Sequence, residues 1–329
     1  IENIVIGKSN QNNCAICYIK NIANSSLVAE AKYRLNNIDV DYILSCSELE
    51  QLIKDNPGTT LPEILSTERV DKTCANLLQG RVVIIYNGSP YALILPVTLF
   101  DFVSSPEDAN LNYHFSNLLK LIRGIAFFIT LLLPGLYLAI TIYHRELVPT
   151  ELLYSIVATR VSVPFPIVLE VLMMELSFEL IREAGLRVPS PLGSTVGIVG
   201  ALVLGEAAVS ANIVSPILII IIAVTAISSF AIPDFSLSFH LRVTRFAYIL
   251  LGSLCGFLGI GVGMFIHILV LTSLKSFGVP YLAPYSPLSS VGNHSYFLKP
   301  VWKREKRANF LKSKKPITQE KISMKWREK

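Results

Sequence analysis

Up to about Asn117, apolar residues come in short runs divided by polar ones; from Leu118 to about Ser276 they form long, nearly continuous stretches. In the first part, Cys14–Ile19 alternates as a strand does, and Ser26–Leu35 sets Leu27, Val28, Ala31 and Leu35 at helical spacing. Val40–Leu44 reads as a second strand and Ser45–Lys54 as a second helix, stopped before Pro57-Gly58. Ser66-Thr67-Glu68 is expected to cap a helix running to Leu78, with Gly80 as its stop. Arg81–Tyr86 and Tyr91–Leu95 flank Asn87-Gly88, a strong hairpin signal. The pattern predicts a small α/β soluble domain over residues 1–117. It closes with a coupling helix that starts near Ser104–Asp108.

Beyond Leu118 the runs reach membrane length. Ile122–Tyr143 supplies the roughly 20 residues that a bilayer core of about 30 Å requires, and Pro134-Gly135 at its centre predicts a bend or hinge. Thr150–Glu183 is interrupted by Pro164 and Pro166, which predicts a broken, re-entrant or interfacial segment. Gly193 and Gly197 open the next run in a small-xxx-small pattern suited to close helix approach. Ile213–Ile232 follows after only Ser210-Ala211-Asn212, predicting a tight helical hairpin. Phe246–Leu274 reads as one last span, with Gly252, Gly256, Gly259 and Gly263 as packing positions. The expectation is an all-α polytopic membrane domain over 118–276, of four spans plus one broken segment. Residues 277–329 then form an extended cover on that domain and a disordered basic tail.

Charge sharpens this picture. Glu170, Glu175, Glu179 and Glu206 sit at membrane depth, where a carboxylate is costly unless paired or hydrated. Glu175, Glu179 and Glu183 share one helical stripe; Glu170 is turned about 140° from Glu175. Arg182, three residues after Glu179, is the expected partner. Two readings stay open: the acids face headgroups or cytoplasm beside Arg182 and Arg187, or they line an aqueous cation path. The net charge of +5 is concentrated in residues 299–329, with twelve Lys/Arg against three Glu. Next to a membrane domain, such a tail marks the cytoplasmic side or anionic lipid rather than nucleic acid. Four spans place domain and tail together in the cytoplasm, with Arg242 and Arg245 as the dissenting charges.

Catalytic chemistry is not indicated. Cys14-Ala-Ile-Cys17 lacks a second ligand pair and alternates like a strand, so two buried thiols are expected instead of zinc. Gly259-Ile-Gly-Val-Gly263 lies in an apolar helix without the strand and acidic partner of a dinucleotide loop. No nucleophile–base constellation or metal cluster is evident, and neither an enzyme nor a cofactor is expected.

Several long segments carry a family resemblance. PFPIVLEVLMMELSFELIREAGLRVPSPLG, VGALVLGEAAV and IVSPILIIIIAVTAISSFAIPDFSL resemble the A subunit of GerA-type spore germinant receptors. So do STERVDKTCANLLQGRVVIIYNGSPYALILPVTLFDFVSSPED, LLLPGLYLAITIYHRELVPTELL and SFGVPYLAPYSP. The resemblance implies a multi-pass subunit in the spore inner membrane, part of a complex that senses nutrients and releases monovalent ions as germination begins. It further implies a homo-oligomeric ring that conducts ions, with a transporter-like B subunit and a C lipoprotein as partners. Members carry a longer region ahead of this one, and the chain opens on Ile1, so an N-terminally truncated chain is expected. The competing reading is a secondary transporter coupling cations or protons through Glu175, Glu179 or Glu206, although no second broken segment is evident to match the first.

Overall fold

Helices and short antiparallel strands make up most of the residues that the computed structural model describes, namely 1–187, 200, 203–288, 296–304 and 306–318. They separate into a sheet unit, Ile1–Leu121 with Ile268–Lys329, and a helical unit, Ile122–His267.

In the sheet unit the strands are β1 (Glu2–Ile6), β2 (Asn12–Cys17), β3 (Leu65–Thr67), β4 (Val82–Tyr86) and β5 (Ala92–Leu95). They form a five-stranded sheet in the order β1-β2-β4-β5-β3, every neighbouring pair antiparallel. Alternate residues of β2, β4 and β5 (Cys14, Ile16, Val82, Ile84, Leu93 and Leu95) point to one face. That face is covered by Leu27, Val28, Ala31 and Leu35 of α1 (Ser25–Asn36) and by Leu49 and Ile53 of α2 (Cys46–Ile53). Each such leucine, isoleucine or valine removed from water stabilises the unit by about 1.5–3 kcal/mol before entropy is counted. Both helices start on side-chain caps, Asn24 and Ser45, and α3 (Val70–Gln79) stops at Gly80 in the left-handed conformation.

Five expectations fail here. Val40–Leu44 is not a strand: the Ile43 carbonyl accepts hydrogen bonds from the side chains of Asn10 and Tyr86, both at 2.7 Å, in place of a strand neighbour. Ser66 and Thr67 do not cap α3 but pair with β5, and the Thr67 hydroxyl accepts from the Arg69 amide. The segment expected to cover the membrane domain belongs to the sheet unit. There β6 (Lys275–Ser276) and β7 (Val279–Pro280) form a hairpin whose Phe277 and Val279 enter the core. Ser276 and Tyr281 donate to the carbonyls of Glu63 and Pro62. The described part of the basic tail is held in place: the Arg307 guanidinium donates to the carbonyls of Leu78, Lys315 and Ile317, and the Lys314 amide to that of Ile22. The linker after β5 holds α4 (Leu99–Val103) and a single 3-10 turn at Pro106–Ala109, each with a capping box, rather than one coupling helix.

The helical unit begins within α5 (Tyr113–Tyr143) and continues through α6 (Thr150–Arg160) and α7 (Ile167–Arg187). Pro164 and Pro166 fall in the break between α6 and α7, where the sequence placed an interruption. Next come α8 (residues 203–210), α9 (Pro216–Phe230) and α10 (Phe235–Ser273). Gly193 and Gly197 lie outside the described residues. Among the described residues, α5 and α10 are the two helices long and apolar enough to cross a membrane by length and composition.

The expected last span over 246–274 is corrected most sharply. Gly256 has φ 60° and ψ −139°, which no helix contains, and α10 is two helices meeting there. The arms fold back on one another: the His240 and His267 rings lie 5.5 Å apart, and a Cβ on Gly263 would touch the Tyr248 ring. In a straight helix His240 and His267 would be about 40 Å apart. The first arm (residues 235–255) and the second (residues 257–273) therefore form a helical hairpin.

Contacts also fix helix directions. Gly135 and Tyr143 of α5 meet Tyr248 and Ser253 of the first arm, so these two run parallel. Glu175 and Glu179 of α7 meet Arg245 and Arg242, so α7 runs the opposite way. Glu170 meets Ser215 and Arg182 meets Ser229, which sets α9 parallel to α7; Gly205 of α8 packs on Ile219. The segments α5, α7, α8, α9 and the two arms of α10 thus alternate in direction. The chain enters and leaves this unit at the same end.

Candidate functional site: the charged seam between α7 and α10

Most of the ionisable groups of the helical interior converge on one seam. Arg245 Nη2 lies 2.7 Å from Glu175 Oε2 and 3.2 Å from Glu179 Oε1, and Arg242 Nη1 lies 2.7 Å from Glu179 Oε2. The i,i+4 spacing on α7 and the i,i+3 spacing on the first arm each present two charges on one face, which is why two antiparallel helices can pair them all. The Glu175 and Arg245 side chains are 1% and 3% exposed, so this is a pair taken out of solvent. Such a pair is weakly stabilising when intact and strongly destabilising when one partner is removed. Among the described residues, Glu175 Oε1 and the Nε atoms of Arg242 and Arg245 have no hydrogen-bond partner.

The predicted partner of Glu179 is corrected. Arg182 donates instead to Ser229 Oγ at 2.6 Å and lies over the Phe230 ring, while Glu179 belongs to the two α10 arginines. Glu183, grouped with the acids by spacing, is exposed and pairs with Arg187 one turn on. Glu170 does point away from that stripe. It is fully buried, accepts from Arg160 Nη2 at 2.9 Å and from the Ser215 amide at 3.2 Å, and so ties α6 and α7 to the start of α9. Glu206 is exposed on α8 and, among the described residues, takes no part in the ion pairs of the seam.

Backbone contacts place the seam. A Cβ on Gly135 would lie 2.6 Å from the Tyr248 carbonyl oxygen, and one on Gly252 would lie 2.5 Å from the Gly135 carbonyl oxygen. Only glycines at both positions let α5 and the first arm touch backbone to backbone. Pro134 sits inside the continuous α5 beside this contact. At Gly256 a Cβ would meet His144 and Tyr143 at 3.0 and 3.1 Å, and the Tyr143 hydroxyl is shared between the carbonyls of Ser253 and Leu254 that the break leaves open. Gly259 packs its backbone on Leu251 across the hairpin, as Gly263 does on Leu251 and Tyr248, so their spacing serves the arm-to-arm contact and not a neighbouring helix.

Arg242 and Arg245 are the functional candidates that the sequence reading misjudged as outward-facing charge. The signal was present: two arginines at helical spacing inside an apolar run complement two glutamates at helical spacing inside another. In the sheet unit Cys14 is buried, and burial pushes its thiol up to about 12, which makes it unreactive; Cys17 is half-buried. Among the described residues, no group of three or more His, Cys, Asp or Glu could hold a metal ion.

The family model described as Bacillus/Clostridium GerA spore germination protein matches residues 1–310. "Spore germination protein KA" of Bacillus subtilis (strain 168) is 42% identical over 97% of this chain and 59% of its own length. "Uncharacterized membrane protein YfkQ" of the same organism is 39% identical over 90% of this chain and 58% of its own length. The crystal structure of the N-terminal domain of the A subunit of the Bacillus megaterium spore germinant receptor GerK3 aligns with 28% of this chain and 74% of that one, at 43% identity and a TM-score of 0.23. The chain thus spans about three fifths of the length of the curated relatives it matches.

Proposed function

The chain belongs to the GerA spore germination family, and on that premise we propose that it is the A-type subunit of a nutrient-responsive germinant receptor whose helical unit gates a cation conduit in the spore inner membrane. The observation that carries this reading is the seam: two carboxylates and two guanidiniums at the centre of apolar helices, held across α7 and the first arm. Intramembrane ion pairs of this kind mark conduction and gating elements. Here the three paired acids, Glu170, Glu175 and Glu179, act as latches that keep the helices together, and Glu206, exposed on α8, is the carboxylate left to face a passing cation.

The six segments α5, α7, α8, α9 and the two arms are proposed to cross the membrane. Because their number is even, the basic tail and the sheet unit share the cytoplasmic side, which satisfies the positive-inside tendency. Arg242 and Arg245 no longer oppose it, since they are buried in the seam and are not loop charges. The partners proposed on this reading are a transporter-like B subunit, a C lipoprotein and further copies of the chain in a ring.

Cation flux through liposomes holding the full-length protein with its partner subunits tests this. Arg245→Gln should raise flux in the absence of nutrient by loosening the latch, and Glu206→Gln should lower nutrient-triggered flux. If instead Glu175→Gln and Glu179→Gln abolish flux while Arg245→Gln leaves it unchanged, the acids line the path and the latch is wrong. A second reading, the secondary transporter, gains one supporting observation: Gly256 supplies a second interrupted segment besides the break between α6 and α7. It requires flux that depends on a co-transported substrate, which a gated conduit does not show.

A further inference from the structure

The face of α7 beside the seam opens into a groove of about 1140 Å³ between α7, α8 and α9. That is slightly more than the roughly 300–1,000 Å³ of pockets that hold a whole drug-sized ligand, and far more than water or an ion fills. Its walls are apolar along α9, with Ile219, Ile220, Ala223 and Ile227 in line. Charge is distributed unevenly along it. Glu175, Glu179 and Arg245 reach its lining, but they are engaged with one another and with Arg242 in the seam. Arg182 is different: its guanidinium rests on the neutral Ser229 hydroxyl and the Phe230 ring, and among the described residues no carboxylate lies within ion-pair distance of it. Counting Arg182, the seam holds three arginines against two glutamates. Glu206, the other acid in the lining, is anchored near Ile219, ten residues from Ser229 and so about 15 Å along α9.

We propose that this groove is a binding site for one anionic phospholipid, its phosphate on Arg182 and an acyl chain laid along the Ile220, Ala223 and Ile227 face of α9, short of Glu206. The direct partners of Arg182 are neutral and Glu175 and Glu179 act on it only through space, so in a low-dielectric setting its guanidinium still attracts an anion. An apolar channel of about 15 Å beyond it suits an extended hydrocarbon chain, which neither a free phosphate nor a peptide offers. The lipid would brace α7 against α9 at the turn where the seam begins, which gives the latch a dependence on membrane composition. This inference rests on the membrane reading of the helical unit.

Native mass spectrometry of the full chain in detergent micelles, titrated with phosphatidylglycerol or phosphatidylcholine, tests it. Phosphatidylglycerol should bind roughly fivefold more tightly, as one arginine–headgroup attraction implies. Arg182→Gln should erase the difference, Arg182→Lys should keep most of it, and Arg187→Gln, which alters only an exposed pair, should keep all of it. Ala223→Trp, which fills the groove without touching a charge, should reduce uptake of both lipids. Equal affinity for the two lipids overturns the site. So does a preference that survives Arg182→Gln, which would belong to the basic tail, or displacement of the lipid by inorganic phosphate alone. A chain that stays dispersed without detergent overturns the membrane reading itself, and this site with it.

Discussion

α5 and α10 each carry a helix-disrupting residue near the middle, and they respond in opposite ways. α5 runs continuously through Pro134, although proline offers no amide to the Thr130 carbonyl one turn earlier. α10 is severed at Gly256, a residue that helices tolerate at a cost of only about 1 kcal/mol. Tertiary contact accounts for the contrast. Beside Pro134, Gly135 allows a backbone-to-backbone contact with Tyr248 and Gly252 that holds α5 in place. At Gly256 the chain adopts a conformation closed to L side chains, Tyr143 takes up the carbonyls left open, and Gly259 and Gly263 let the second arm close against the first. Whether a break forms depends on what the two severed ends can pack against.

The same contrast orders the expected effects of mutation, each read as a change in unfolding free energy in detergent. Arg245→Gln strands Glu175 in the first arm's seam and should cost about 3–5 kcal/mol. The double change Glu175→Gln with Arg245→Gln should recover most of that loss, and failure to recover would mean that the two side chains are not coupled. Gly256→Ala forces a side chain into a glycine-only conformation and should cost about 1–3 kcal/mol. A neutral result would show that the tip can straighten. Tyr143→Phe removes one hydroxyl from the tip and should cost about 1 kcal/mol. Pro134→Ala, in the continuous helix, should shift stability by less than about 1 kcal/mol, since the bend there is not what holds the unit together. A large loss at Pro134 would restore it as a structural hinge.

Legibility followed the range of the interactions. The β4–β5 hairpin, the helices α1 and α2 and the break at Pro164 and Pro166 are set by neighbours within a few residues, and the residue pattern announces them. β1 and β3 were missed because a short edge strand takes its identity from its partner, not from its own alternation. The run from Ser276 to Tyr281 reads as a proline-rich cover, yet it fills the sheet core, because two hundred residues separate Phe277 from the strands it packs on. At the site, four acids were visible at membrane depth and Glu170 was rightly turned away from the others. Their partners were not visible: Arg242 and Arg245 lie more than sixty residues from Glu179, and only the α10 hairpin and the direction of α7 bring them together.

Everything in the helical unit depends on that hairpin, and cross-linking examines it most directly. With the native cysteines replaced, His240→Cys and His267→Cys together should be joined within one chain by a short bis-maleimide, because the rings they replace lie 5.5 Å apart. A continuous helix holds the same positions about 40 Å apart. An intramolecular link at 240–267 is the expected result. No link there, in a preparation where a control pair one turn apart at 240 and 244 does react, would contradict the hairpin, the parity of crossings and the seam built on its first arm.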